Sequence, residues 1–139
     1  MTLVLDASVL HDHLLGGRRA PLVASAVRAH DGDVNIPHIA IVETLSVLRR
    51  LTHQGLLTVA RARLALTDLV DAPFTRWPAD ALLPRIWELR DNLSAYDATY
   101  VALAESLDAT LLTADARLAH ACARHARCSV SLVAAPTEA

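Results

Sequence analysis

Short β-like runs alternate with longer helix-like runs along this chain, and that alternation limits the fold more than any other feature. Thr2 to Leu5 is a brief apolar strand that ends at Asp6. Ser8 can cap a short helix over Val9 to Leu15, which Gly16-Gly17 breaks. Pro21, at a first-turn position, opens a second helix that runs to about His30. Val34 to Ile36 reads as a strand closed by Pro37, and His38 to His53 as an apolar helix stopped by Gly55. Thr58 can cap the next helix, and Phe74 to Trp77 reads as a strand ending at Pro78. Helices over about Ala79 to Asn92 and Ala95 to Leu107 follow. A strand at Thr110 to Leu112, a helix from about Asp115 to Arg124 and a last strand at Ser129 to Val133 complete the chain. Such alternation predicts a parallel sheet with helices on both faces. A length of 139 residues fits one domain, taken as residues 1–139.

Composition excludes several classes. With 53% hydrophobic residues, four Gly and six Pro, the chain is neither disordered nor a low-complexity linker. No run approaches the roughly 20 apolar residues of a membrane span, and Asp6 interrupts the first apolar run, which argues against a secretory signal. Cys122 and Cys128 are too few for a disulfide scaffold and read as free thiols of a cytoplasmic protein.

In open α/β sheets ligands bind beyond the carboxyl ends of the strands. The residues there are acidic. Asp6 ends the first strand, and Asp115 follows the Thr110 to Leu112 strand. Asp97 lies in the first turn of the Ala95 helix, and Glu43 lies inside the His38 helix. Each has an ordinary structural explanation: Asp6 and Asp115 can start helices, and Ser94 with Asp97 has capping-box spacing. However, Glu43 has Ile39, Ala40, Ser46 and Val47 at its helical neighbour positions, and Asp97 shares its face with Val101 and Ala104, next to the apolar stripe Tyr100, Leu103 and Leu107. A carboxylate among apolar neighbours needs a proton, water or a cation. Several such groups together favour a hard divalent cation, Mg²⁺ or its substitute Mn²⁺.

The segment Leu3-Val4-Leu5-Asp6-Ala7-Ser8-Val9 resembles the opening of a PIN domain. Ser94-Ala95-Tyr96-Asp97-Ala98-Thr99-Tyr100-Val101-Ala102-Leu103-Ala104 resembles that family's late helix motif. Leu111 to Leu118 resembles the segment after its fourth strand, and Glu43 takes the place of its mid-helix glutamate. The likeness covers the whole chain and is closest to the VapC-type toxins of bacterial toxin–antitoxin pairs. It implies a three-layer α/β/α sandwich around a parallel sheet of four or five strands. It also implies a Mg²⁺-dependent endoribonuclease that forms a homodimer and is inhibited by a small cognate antitoxin. By position, Asp6, Glu43, Asp97 and Asp115 would be the catalytic, metal-holding carboxylates, with Ser8 and Thr113 orienting carboxylates or waters. The alternative is a catalytically idle PIN-like module that binds RNA or a protein partner.

All thirteen basic residues are Arg. The absence of Lys counts against phosphoryl-aspartate chemistry, which resembles this chain at the strand-end Asp but uses a lysine near the phosphate. Arg18-Arg19, Arg49-Arg50, Arg61, Arg63 and Arg117 are candidate phosphate contacts. Trp77 and Trp87 can stack bases, although burial is the expected state of both. His11 and His13 should diverge on a helix, and the spacing of His120, Cys122, His125 and Cys128 does not match structural zinc sites. The formal charge of −2 does not exclude a polyanion. Of fifteen acidic residues four are the proposed ligands, which leaves eleven against thirteen Arg elsewhere.

Overall fold

The computed structural model describes residues 1–134; the last five residues of the single-domain reading lie outside the described ones. Five strands form one parallel sheet: β1 (Leu3–Leu5), β2 (Val34–Pro37), β3 (Thr75–Trp77), β4 (Thr110–Thr113) and β5 (Ser129–Leu132), in the order β3-β2-β1-β4-β5. The helices are α1 (Ala7–Leu15), α2 (Ala20–Ala29), α3 (Ile39–His53), α4 (Val59–Asp71), α5 (Leu83–Glu88), α6 (Ala95–Ser106) and α7 (Ala116–His125). This is an α/β/α sandwich, and the sheet has the larger of the two expected strand counts. β1 and β2 are buried along their whole length, as central parallel strands with both faces covered must be.

Strand order locates the site. From β1 the chain steps outward to β2 and β3 through α1 to α4. It then returns past β1 to β4 and β5 through α5 to α7. Right-handed crossovers put these two helix groups on opposite faces. The direction reverses between β1 and β4, so the loops after these two strands flank the switch point. Those loops begin with Asp6 and lead through Ala114 to Asp115.

Three local expectations are corrected. The cap of α1 is Asp6, whose side chain accepts from the Val9 N–H, so the helix begins at Ala7 rather than after Ser8. The helix expected over Ala79 to Asn92 is a 3₁₀ turn at Asp80–Leu82 followed by the short α5. Pro84 explains the break, because proline has no N–H and is tolerated only in a first turn. Helix α6 buries every residue from Ala98 to Ala104 rather than one stripe, as a helix covered on all sides does. It packs on β1, β2 and β4 from one side and carries α5 on another.

One ion-pair cluster ties α5, α6 and the end of α7 together. Arg85 Nε donates to Glu105 Oε2 at 2.7 Å, and Arg85 Nη2 donates to Glu105 Oε1 and to the His125 carbonyl. The Arg127 N–H also donates to Glu105. Arg85→Ala strands a largely buried carboxylate and one carbonyl. The expected loss is about 1–3 kcal/mol, read as a lower urea midpoint with unchanged slope.

Candidate active site

Asp6 is 4% exposed, and hydroxyl groups hold both its carboxylate oxygens. Ser8 Oγ donates to Oδ1 at 2.5 Å, the Val9 N–H reaches the same oxygen at 3.2 Å, and Thr113 Oγ1 donates to Oδ2. The two hydroxyls are themselves fixed. Ser8 Oγ accepts from the Ala114 N–H at 3.1 Å and Thr113 Oγ1 from the Asp115 N–H at 3.0 Å. Each hydroxyl has one proton, and with a backbone N–H on its acceptor side that proton is left for Asp6. Ser8 and Thr113 thus contact the carboxylate assigned to them, and they lace the end of β1 to the β4–α7 loop.

The other three carboxylates come from separate elements. Glu43 lies near the start of α3 and Asp97 in the first turn of α6, where Ser94 Oγ accepts the Asp97 N–H. Asp115 caps α7, its Oδ1 accepting from the Arg117 and Leu118 N–H groups. Burial raises the Asp6 pKa above the ordinary value, against the lowering effect of Ser8, Thr113 and Val9. Glu43 is raised by burial and then by the charge of Asp97, with Asp6 adding to the effect. Asp97 is raised by burial and then by Asp115, while Ser94 and Arg117 oppose this. Asp6, Glu43 and Asp97 each feel another of the four, and Asp115 acts on Asp97, so the four candidates are linked through one field at the switch point.

Glu43 Oε1 is buried and completes no hydrogen bond. Such an atom, in a donor set made only of carboxylates, fits a hard cation that would satisfy the oxygen and offset the repulsion. Among the described residues, no three His, Cys, Asp or Glu side chains converge into a ready coordination cluster.

The remaining candidates divide. Arg117 is 95% exposed beside Asp115 and acts on Asp97. Arg19 pairs with Asp12 at 3.2 Å, and Arg61 donates to the Leu14 carbonyl, so both have structural duties. Trp77 is half-buried, its Nε1 donating to Asn35 Oδ1 at 2.8 Å. Trp87, expected to be buried, is 68% exposed with Arg90 stacked 4.6 Å from its ring centroid. His11 feels Arg50 while His13 meets the Phe74 ring, so the pair diverges. Burial raises the Cys122 thiol to about 12 and Cys128 to about 11, which opposes a thiolate role for either. The residue that sequence reasoning placed only in the apolar stripe is Tyr100. Its hydroxyl interacts with Glu43. Its position three residues after Asp97 on the same helix was the available signal.

The PIN domain family model matches residues 3–124. The chain is 42% identical over 131 residues to VapC ribonuclease Mb0985 of Mycobacterium bovis and to Ribonuclease VapC9 of Mycobacterium tuberculosis. These alignments cover 94% of this chain and 98% of each relative. Ribonuclease VapC12 of M. tuberculosis is 31% identical over 117 residues, covering 84% of this chain and 89% of the relative. The crystal structure of PAE2754 from Pyrobaculum aerophilum superposes with a TM-score of 0.66 at 22% identity, covering 94% of this chain and 83% of that one, a likeness of fold. By the extent of the family match and the identity to these relatives, the chain belongs to the PIN domain family.

Proposed function

We propose that this protein is a Mg²⁺-dependent endoribonuclease that hydrolyses RNA phosphodiesters with an activated water. The observation that carries the reading is the meeting of Asp6, Glu43, Asp97 and Asp115 in one field, three of them with raised pKa values and one with an unpartnered buried oxygen. Its relatives being named ribonucleases supports RNA as the substrate. Mg²⁺, with Mn²⁺ as substitute, would be held by these four carboxylates. When bound, it lowers the pKa of the attacking water and neutralises charge on the phosphoryl oxygens.

The chain's own residues do the rest. Asp6, clamped by Ser8 and Thr113, presents a carboxylate of fixed orientation. Glu43, with a raised pKa, is suited to take the proton of the attacking water. Arg117 at the rim can contact a backbone phosphate. Water oxygen bonds to phosphorus as the bond to the 3′-oxygen breaks, and that oxygen leaves with a proton. The products carry 5′-phosphate and 3′-hydroxyl ends.

We further read the protein as the cytoplasmic toxin of a toxin–antitoxin pair, acting as a homodimer and inhibited by a small antitoxin. Leu14 is core, whereas Leu45 and Leu56 are exposed together with Val42, Val59 and Leu64. The face of α3 and α4 is therefore the surface we assign to a partner's apolar segment. Among the described residues no helix is long and apolar enough to cross a membrane.

Excess EDTA is expected to abolish RNA cleavage, and added Mg²⁺ to restore it. Sequencing of the RNA ends checks the products and identifies the substrate together. Cleavage that survives chelation defeats the metal mechanism. RNA binding without cleavage across structured substrates would favour the idle module instead, and cleavage of DNA alone would move the substrate class.

A further inference from the structure

Tyr100 is 2% exposed, and its hydroxyl completes no hydrogen bond. A buried unsatisfied polar group is destabilising, and phenylalanine at this position would avoid that loss. The hydroxyl therefore needs an explanation beyond packing. Its surroundings supply one. Glu43, Asp6 and Asp97 all act on the phenol, and Glu43 also interacts with it at hydrogen-bonding range. Glu43 Oε1 is the second orphaned atom of the same region. Two buried polar atoms, a donor and an acceptor, thus belong to an interacting pair of residues, and neither completes a bond of good geometry.

A phenol, with an ordinary pKa of about 10, keeps its proton at neutral pH. Toward a carboxylate it can only donate. Its ring is anchored in the most buried stretch of α6, one helical turn after Asp97. Glu43 lies on a different helix and is half-exposed. The phenol is the fixed member of the pair and the carboxylate the adjustable one.

We propose that Tyr100 is a positioning residue, whose hydroxyl donates to Glu43 and fixes that carboxylate when the acidic site holds a divalent cation. The proposal rests on the metal-dependent reading above and adds to it a residue outside the carboxylate set. Donating from one side leaves the other carboxylate lone pairs directed at the cation, as supporting hydrogen bonds do for metal ligands elsewhere.

The test is Tyr100→Phe, which removes one oxygen and keeps the ring. Calorimetric titration of the RNA-free protein with MgCl₂ or MnCl₂ is expected to show affinity weakened on the order of tenfold. Melting of the metal-free protein should be unchanged or slightly higher, because the hydroxyl is unsatisfied there. In cleavage, kcat should fall while KM for RNA holds. Glu43→Gln supplies the second arm: in that background, Tyr100→Phe should weaken metal binding no further. Wild-type metal affinity in Tyr100→Phe overturns the proposal, and so does an equal loss in both backgrounds. If the wild-type protein binds neither cation, the metal-dependent reading and this proposal fail together. If wild-type binds and Tyr100→Phe binds equally, only this proposal fails.

Discussion

Asp97→Asn should reduce RNA cleavage by about 10³-fold at saturating Mg²⁺, since metal assistance is worth several kcal/mol and each ~1.4 kcal/mol is a decade in rate. The substitution is nearly isosteric. It leaves the Asp97 N–H bond to Ser94 Oγ, which starts α6, in place. What it removes is one negative charge from a field that Asp6 and Glu43 both feel. The metal-free protein should therefore tolerate it well. Asp97 has a folded-state pKa raised above its unfolded value. Its protonated form favours the fold, so stability is present below the unfolded pKa and is lost as pH rises through the folded one. Asn escapes that loss. The melting temperature of metal-free Asp97→Asn should equal or exceed wild type at pH 7, with the difference vanishing as pH falls below the ordinary carboxylate range. Glu105 and Asp33, both held low, oppose this trend in each protein and cancel in the comparison. Wild-type cleavage by a folded Asp97→Asn protein would defeat the site assignment. A large drop in metal-free stability at pH 7 would show that Asp97 is structural.

The acidic positions were legible because two of them are pinned to strand ends by the chain itself. A short apolar run followed by Asp fixes where Asp6 and Asp115 fall relative to the sheet, whatever the details of packing. Glu43 and Asp97 were legible for another reason: helical periodicity set them among neighbours that could not neutralise them. What stayed hidden depends on tertiary contact. Ser8 has the right chemistry to cap a helix, yet its proton goes to Asp6 because the Ala114 N–H, 106 residues away, occupies its oxygen. Trp87 belongs to an apolar-looking segment, but the break at Pro84 shortens α5 and leaves the indole outside. Tyr100 has the spacing of a core residue and is one. Only the position of Glu43 on another helix shows that its hydroxyl faces the acidic site.

Thr113→Val is the sharper test of how the site is built. Thr113 is fully buried, and Val matches its volume while removing the hydroxyl. Two bonds are lost at once: the donation to Asp6 Oδ2 and the acceptance of the Asp115 N–H. Cleavage should fall by roughly 10–100-fold, the scale for groups that orient metal-holding side chains. The acid side of the pH–rate profile should move as well. Thr113 is among the groups that lower the Asp6 pKa, so its removal raises a value that burial has already raised. A carboxylate that must be ionised to act then protonates at higher pH, and the acid limb shifts upward. Stability follows the same sign. With the folded pKa of Asp6 higher still, the metal-free variant should be closest to wild type at acid pH, where Asp6 is protonated in both, and weakest at neutral pH. Thr113→Ser restores the hydroxyl without the methyl and should recover the wild-type acid limb even if packing costs some stability. An unmoved acid limb in Thr113→Val, with activity lost only in proportion to unfolding, would mean that Thr113 merely fills space between β1 and β4.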